Sequence, residues 1–148
     1  MYNNPGNIRC NRELRGVVDC NAKGFSVFES ENAGIKAIHS LLKVYYNKYG
    51  LNTISKIISR YAPSSENQTG IYIDFVAQKS GFGKNQILEI PDLKYLLKSL
   101  IKMESGKDYT NEKLFEAIGE QPTPIPDKKN NLLIISLGFI FASLFLRK

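Results

Sequence analysis

The sequence predicts a mainly α-helical, α+β body of about five helices and one small β-hairpin, followed by a C-terminal transmembrane helix. Three observations carry that expectation. Apolar residues recur at helical spacing from residue 31 to residue 118, one short stretch near the N-terminus alternates as a strand does, and an uncharged apolar run lies close to the C-terminus.

In chain order, Asn3-Asn-Pro-Gly-Asn-Ile-Arg9 joins Pro-Gly to asparagines, residues that stabilise tight turns, and reads as a rigid turn leading into a short strand. Residues 10–24 are polar, and Phe25-Ser-Val-Phe28 then alternates like the second strand of a hairpin. Ser30 can cap a helix over 31–49, with Glu31 favourable in its first turn, Ile35, Ile38, Leu42, Tyr45 and Tyr49 on its packed face, and Gly50 at its end. His39 falls among Lys36 and Lys43, which predicts a surface position. Asn52-Thr53 starts a second helix with Ile54, Ile57, Ile58 and Tyr61 inward, stopped by Pro63. A polar loop through Thr69 feeds a third helix over about 70–80, with Ile71, Phe75 and Val76 inward and Tyr72 near the loop.

Leu93 to Gly106 forms the next helix, which Asp92 can cap. At about 100° per residue Leu93, Leu97, Leu100 and Ile101 share one face, and Glu104 falls in the middle of that apolar stripe. The carboxylate stands in the last turn, where the helix dipole disfavours negative charge, and Gly106 stops the helix. Such a group is expected to have a raised pKa, as a general acid requires; the plainer reading is an exposed helix-end glutamate. Thr110 caps a short helix carrying Leu114, Phe115 and Ile118.

The chain has 148 residues and a net charge of +6. Up to Glu120 there are sixteen Lys/Arg against thirteen Asp/Glu, and the remaining 28 residues hold four against Asp127 alone. The excess is thin over the body and concentrated in the tail. This favours an anionic surface such as phospholipid or cell-wall polymer as partner, and no nucleic acid, because no clustered basic face or recognition motif is present. Cys10 and Cys20 fit no metal pattern beside a single histidine; they form a local disulfide in an oxidising compartment or remain two thiols. No Gly-rich phosphate loop, His-rich metal set or nucleophile triad occurs, so no cofactor and no metal are expected, and kinases, oxidoreductases and metallohydrolases are disfavoured. MYNNPGNIRC has no apolar core and does not read as a signal peptide.

The division expected is a folded domain over 1–120, a Pro-rich linker over 121–131 and a membrane anchor over 132–146. The fifteen residues LLIISLGFIFASLFL would span about 22 Å as a helix, short of the ~30 Å hydrocarbon core. Flanking Lys128, Lys129, Arg147 and Lys148 can snorkel to both headgroup layers. A helix apolar on every side after a Pro-rich linker argues against a buried core helix, and basic residues at both ends give no orientation.

NNPGNIR at 3–9, GFSVFES with Gly34 at 24–34, and NTISKIISRYAPSSENQTGIY at 52–72 together resemble phage virion proteins with a lysozyme-like, lytic-transglycosylase-type domain, over residues 3–118. A more distant similarity is to flagellar-type glucosaminidases, whose acidic Glu-Ser-Gly precedes the corresponding segments; here it comes last, at Glu104, as in a circular permutation. The resemblance implies a lysozyme-like fold and cleavage of the β-1,4 glycan of peptidoglycan, with Glu104 as acid and then base and Glu66 and Glu29 as the next candidates. It further implies that Asn4, Asn7, Ser30, Tyr61, Asn67, Thr69 and Tyr72 position the sugar. With one acid it implies a lytic transglycosylase, with a second a hydrolase. From the residues alone, Glu66, Asn67 and Thr69 serve equally as caps and turn formers. The tail implies a virion containing lipid or an anchored wall enzyme, with the bilayer and other virion proteins as partners. The competing expectation is a membrane-anchored structural virion protein that keeps the fold without activity.

Overall fold

The computed structural model describes residues 2–63 and 66–121, with 66 and 67 as backbone only. The linker expected over 121–131, from residue 122 on, and the anchor expected at 132–146 lie outside the described residues. The described chain is mainly helical: strands β1 (Val17–Cys20) and β2 (Ser26–Phe28), then helices α1 (Glu31–Tyr49), α2 (Ile54–Tyr61), α3 (Glu66–Ser80), a 3-10 helix (Ile90–Leu96), α4 (Leu97–Ser105) and α5 (Asn111–Ile118). No helix among the described residues is long and apolar enough to cross a membrane.

α1 has the expected bounds because both ends carry their signals. The Ser30 hydroxyl accepts from the Ala33 N–H, and Gly50 takes the left-handed conformation that closes the helix. Thr53 and Thr110 cap α2 and α5 in the same way. Ile35, Ile38, Leu42, Ile54, Ile57, Ile58, Leu93, Leu97, Leu100 and Ile101 are fully buried, so the apolar stripes predicted for α1, α2 and α4 form one core. α1 runs through its centre and packs against α2, α4, α5 and the 3-10 helix.

Several expectations are corrected. The partner of the 25–28 strand is Val17–Cys20, antiparallel, within the stretch that reads as polar. The segment after the N-terminal turn lies on the other edge of β2 as a single bridge, Arg9 to Phe25, with the Ser26 N–H donating to the Ile8 carbonyl at 3.0 Å. Cys10 and Cys20, on the two flanks of β2, are joined as a disulfide. α3 begins at Glu66 rather than near Gly70, so Glu66, Asn67 and Thr69 belong to a helix, not a polar loop. Its inward row is Tyr72, Val76 and Ser80, spaced by four, while Ile71 is 67% exposed and Phe75 only partly covered. Leu93–Gly106 divides into a 3-10 helix and α4. Asp92 does not cap α4; its carboxylate accepts from the Glu89 N–H at 2.8 Å and starts the 3-10 turn ahead of it. Tyr49 is exposed and carries the Arg60 guanidinium over its ring.

His39 is buried at 5% exposure, not on the surface. α5 and the chain after it cover that face of α1, and Lys94 and Glu120 are drawn in beside the imidazole. Burial foremost, with the Lys43 charge adding to it, lowers the His39 pKa from 6.5 to about 4.

The N-terminal turn is fixed to this body by two close approaches. A Cβ on Gly34 would lie 2.1 Å from the Asn3 carbonyl oxygen, and one on Gly6 would lie 2.6 Å from both the Ile38 side chain and the Tyr61 hydroxyl. Only glycine lets the turn seat this closely on α1 and α2.

Candidate active site

Glu104 stands where α4 ends, one turn past the buried Leu100 and Ile101, and its side chain is half-buried. Two other elements meet on it. From α3, the Tyr72 hydroxyl donates to Glu104 Oε1 at 2.9 Å. From the N-terminal turn, Asn7 Nδ2 donates to the Glu104 carbonyl at 2.6 Å and to Oε2 at 3.3 Å. One amide thus satisfies a helix-end carbonyl, which has no partner within the helix, and also touches the carboxylate. Asn7 reaches it because its backbone is left-handed, φ 48°, a conformation asparagine tolerates.

Beside this carboxylate opens a cleft of about 630 Å³, whose walls include Asn7, Tyr45, Arg60 and Tyr61. Tyr61 donates its hydroxyl to the Gly6 carbonyl at 2.7 Å and so ties α2 to the turn. Burial, followed by the nearby Glu104 charge, raises the pKa of both Tyr61 and Tyr72 far above the usual phenol range, so both stay neutral donors. Among the described residues Glu104 is the only carboxylate lining the cleft and is in no ion pair.

The other residues implied by the resemblance are placed as follows. Asn4 is consumed by the turn: Nδ2 donates to the Ile8 and Ser26 carbonyls, each at 2.9 Å, and Oδ1 accepts from the Ile8 N–H. It builds the site's frame without facing the cleft. Ser30 is the α1 cap, and it and the exposed Glu29 line a separate cavity of about 480 Å³ with Gly16 and Lys36. Thr69 donates to the Ala62 carbonyl at 3.3 Å, closing the passage from α2 to α3 at the cleft edge. The backbones of Glu66 and Asn67 lie in the first turn of α3, and their side chains lie outside the described residues.

The chain has a phage relative. It is 40% identical over 91 residues to Protein P5 of Pseudoalteromonas phage PM2, an alignment covering 61% of this chain and 57% of that protein. The chain therefore spans a little over half the length of the relative it matches. No family model matches it.

Sequence reasoning missed Arg9, Phe25, Tyr45 and Arg60 as cleft residues. Tyr45 sits on the apolar stripe of α1 and reads as core, while Arg9 and Arg60 are the terminal residue of one motif and the residue before Tyr61 in the other. Their position inside the two most distinctive stretches was the available signal.

Proposed function

We propose that this chain is a lysozyme-like, peptidoglycan-cleaving enzyme of the lytic transglycosylase type, a phage virion component held to a membrane by residues 132–146. The observation that carries the reading is the meeting of Glu104, Asn7 and Tyr72, brought from three separate segments of the sequence onto one carboxylate at the edge of an open cleft. That the relative belongs to a phage supports the phage setting.

The partners of Glu104 suit an acid that gives a proton and takes one back. A tyrosine hydroxyl donates to a carboxylate and accepts from a carboxylic acid, so it holds both forms in place. In the proposed reaction the protonated Glu104 gives its proton to the glycosidic oxygen as the C1–O bond breaks. The substrate's N-acetyl oxygen stabilises C1. The sugar's own C6 hydroxyl then attacks C1 and returns its proton to the Glu104 carboxylate, leaving a 1,6-anhydro end and the original acid, with no water consumed. This route needs one acid, the role Glu104 takes, where two-acid hydrolysis needs a second. Tyr61 and Asn7 then position the sugar. Domain 1–120 does the cutting and the linker sets its reach from the bilayer.

The test is product analysis. The full chain is incubated with purified peptidoglycan and the soluble products are weighed by mass spectrometry. Anhydro-muropeptides are expected; ordinary reducing ends would make it a hydrolase, and no release from a folded sample would leave a structural virion protein.

A further inference from the structure

The cleft contains two cations for which a neutral sugar chain has no use. Arg9 follows the N-terminal turn and Arg60 stands in the last turn of α2; both line the cleft and both are exposed. The Arg9 guanidinium lies 4.6 Å from the Phe25 ring centroid, and that of Arg60 lies 4.1 Å from Tyr49 and 5.4 Å from Tyr45. Stacking occupies the flat face of a guanidinium and leaves its N–H edge, which carries the donors, open to a ligand. Neither arginine is paired with a carboxylate among the described residues, whereas Arg12 close by in sequence is bound to Asp19. Against the two, the described lining offers Glu104 alone, whose partners are Asn7 and Tyr72.

We propose that Arg9 and Arg60 bind carboxylates on the peptide arms of peptidoglycan, so that the cleft selects charged, peptide-bearing glycan over an uncharged β-1,4 polymer. The inference rests on the cleavage proposed above and adds the feature of the substrate that is read. The glycan backbone presents hydroxyls and amides, and the wall's regularly spaced negative charge on each repeat is carried by the peptide carboxylates. A planar, fixed set of donors matches a carboxylate with two parallel hydrogen bonds, and rings that hold the guanidinium in place lower the ordering cost of forming them.

Soluble uncrosslinked glycan strands are prepared in two forms, native and with their peptide carboxylates amidated by carbodiimide coupling, and both are offered to the full-length wild type and to Arg9→Gln/Arg60→Gln. The wild type is expected to lose roughly five- to tenfold in kcat/KM on amidated strands, the size expected for two solvent-exposed charge pairs. The double variant is expected to show that lower value on both forms, with kcat little changed and the salt dependence of KM gone. Equal wild-type rates on the two substrates, or an equal loss in the variant on both, would overturn the inference and leave the cleavage reading intact. If neither substrate is cut, the cleavage reading fails, and binding of the same two strands to the wild type decides: tighter binding of the native form that the double variant lacks supports carboxylate recognition, and charge-blind or absent binding rejects it.

Discussion

Two kinds of carboxylate stand at helix ends of this chain. Glu31, at the start of α1, is gripped by Lys107 at 2.5 Å and by the Tyr109 hydroxyl, and Glu120, just past α5, receives Lys94 at 3.2 Å and Lys43 at 4.0 Å. Among the described residues Glu104 receives only neutral donors, one phenol and one amide. The first two tie the chain together: Glu31 joins α1 to the loop before α5, and Glu120 fixes the chain just past α5 over α1. Glu31 is held ionised, its pKa lowered by the hydrogen bonds from Lys107 and Tyr109, whereas Glu104 is oriented by a phenol and an amide that bring no charge to it. The same residue type is a rivet in one region and, under the proposed function, a reagent in the other, and its partners make the difference.

The comparison can be broken from either side. The largest effect on stability belongs to the riveted region. His39, enclosed with Lys43, Lys94 and Glu120, has a pKa of about 4 when folded against 6.5 as the ordinary value. As pH falls below 6.5 the unfolded chain takes up a proton that the folded chain refuses. Stability is therefore full above 6.5 and declines down to about pH 4, by up to about 3 kcal/mol. Urea melts of wild type and His39→Gln across that range are expected to diverge in this sense; parallel curves would contradict the burial argument.

Next, Asn7→Lys gives Glu104 the kind of partner that Glu31 has. Activity on peptidoglycan should drop about 100-fold, within the range attributed to general acid–base catalysis, although the carboxylate remains. The left-handed backbone at Asn7 adds a stability cost of about 1 kcal/mol. Full activity in this variant would dissolve the distinction between the two regions. Tyr72→Phe removes one neutral donor and is expected to lower kcat about tenfold, equivalent to a single hydrogen bond to a charged group, with KM nearly unchanged because Tyr72 acts through Glu104.

The smallest effect is at Glu31. Hydrogen bonds from Lys107 and then Tyr109 hold its pKa below 4.5. Its contribution is present above pH 4.5 and is lost as pH falls through the lower folded value. Since the pair is about one-third exposed, Glu31→Gln should cost no more than about 1 kcal/mol at neutral pH, measured by thermal melting.

Much of this arrangement was legible in the sequence. The bounds of α1 were readable because Ser30 and Gly50 mark them, and Glu104 was readable as an anomaly because a carboxylate interrupts Leu97, Leu100 and Ile101. The join between Glu104 and Asn7 was not, since it spans 97 residues and depends on Gly34 and Gly6 letting the turn seat on the body. Periodicity failed for α3, where the inward position falls to Tyr72 and not to the more apolar Ile71: the polar hydroxyl has Glu104 to bind, while the ring still packs on the core. It failed again at His39, whose covering comes from α5, an element local spacing does not see. Asn4 illustrates the opposite limit, for a residue that resembles a sugar ligand is fully used in holding its own turn.

The central claim is that Glu104 is the proton-transferring group of a wall-cleaving cleft. Its most direct test is muropeptide release by the full-length wild type and by Glu104→Gln, with the melting temperature of each. The substitution keeps the size of the side chain and a polar group for Tyr72 and Asn7, so stability should change by no more than about 1 kcal/mol, while anhydro-muropeptide release should fall at least about 1,000-fold. Release by Glu104→Gln at the wild-type rate would contradict the account and move the acid to Glu66 or Glu29.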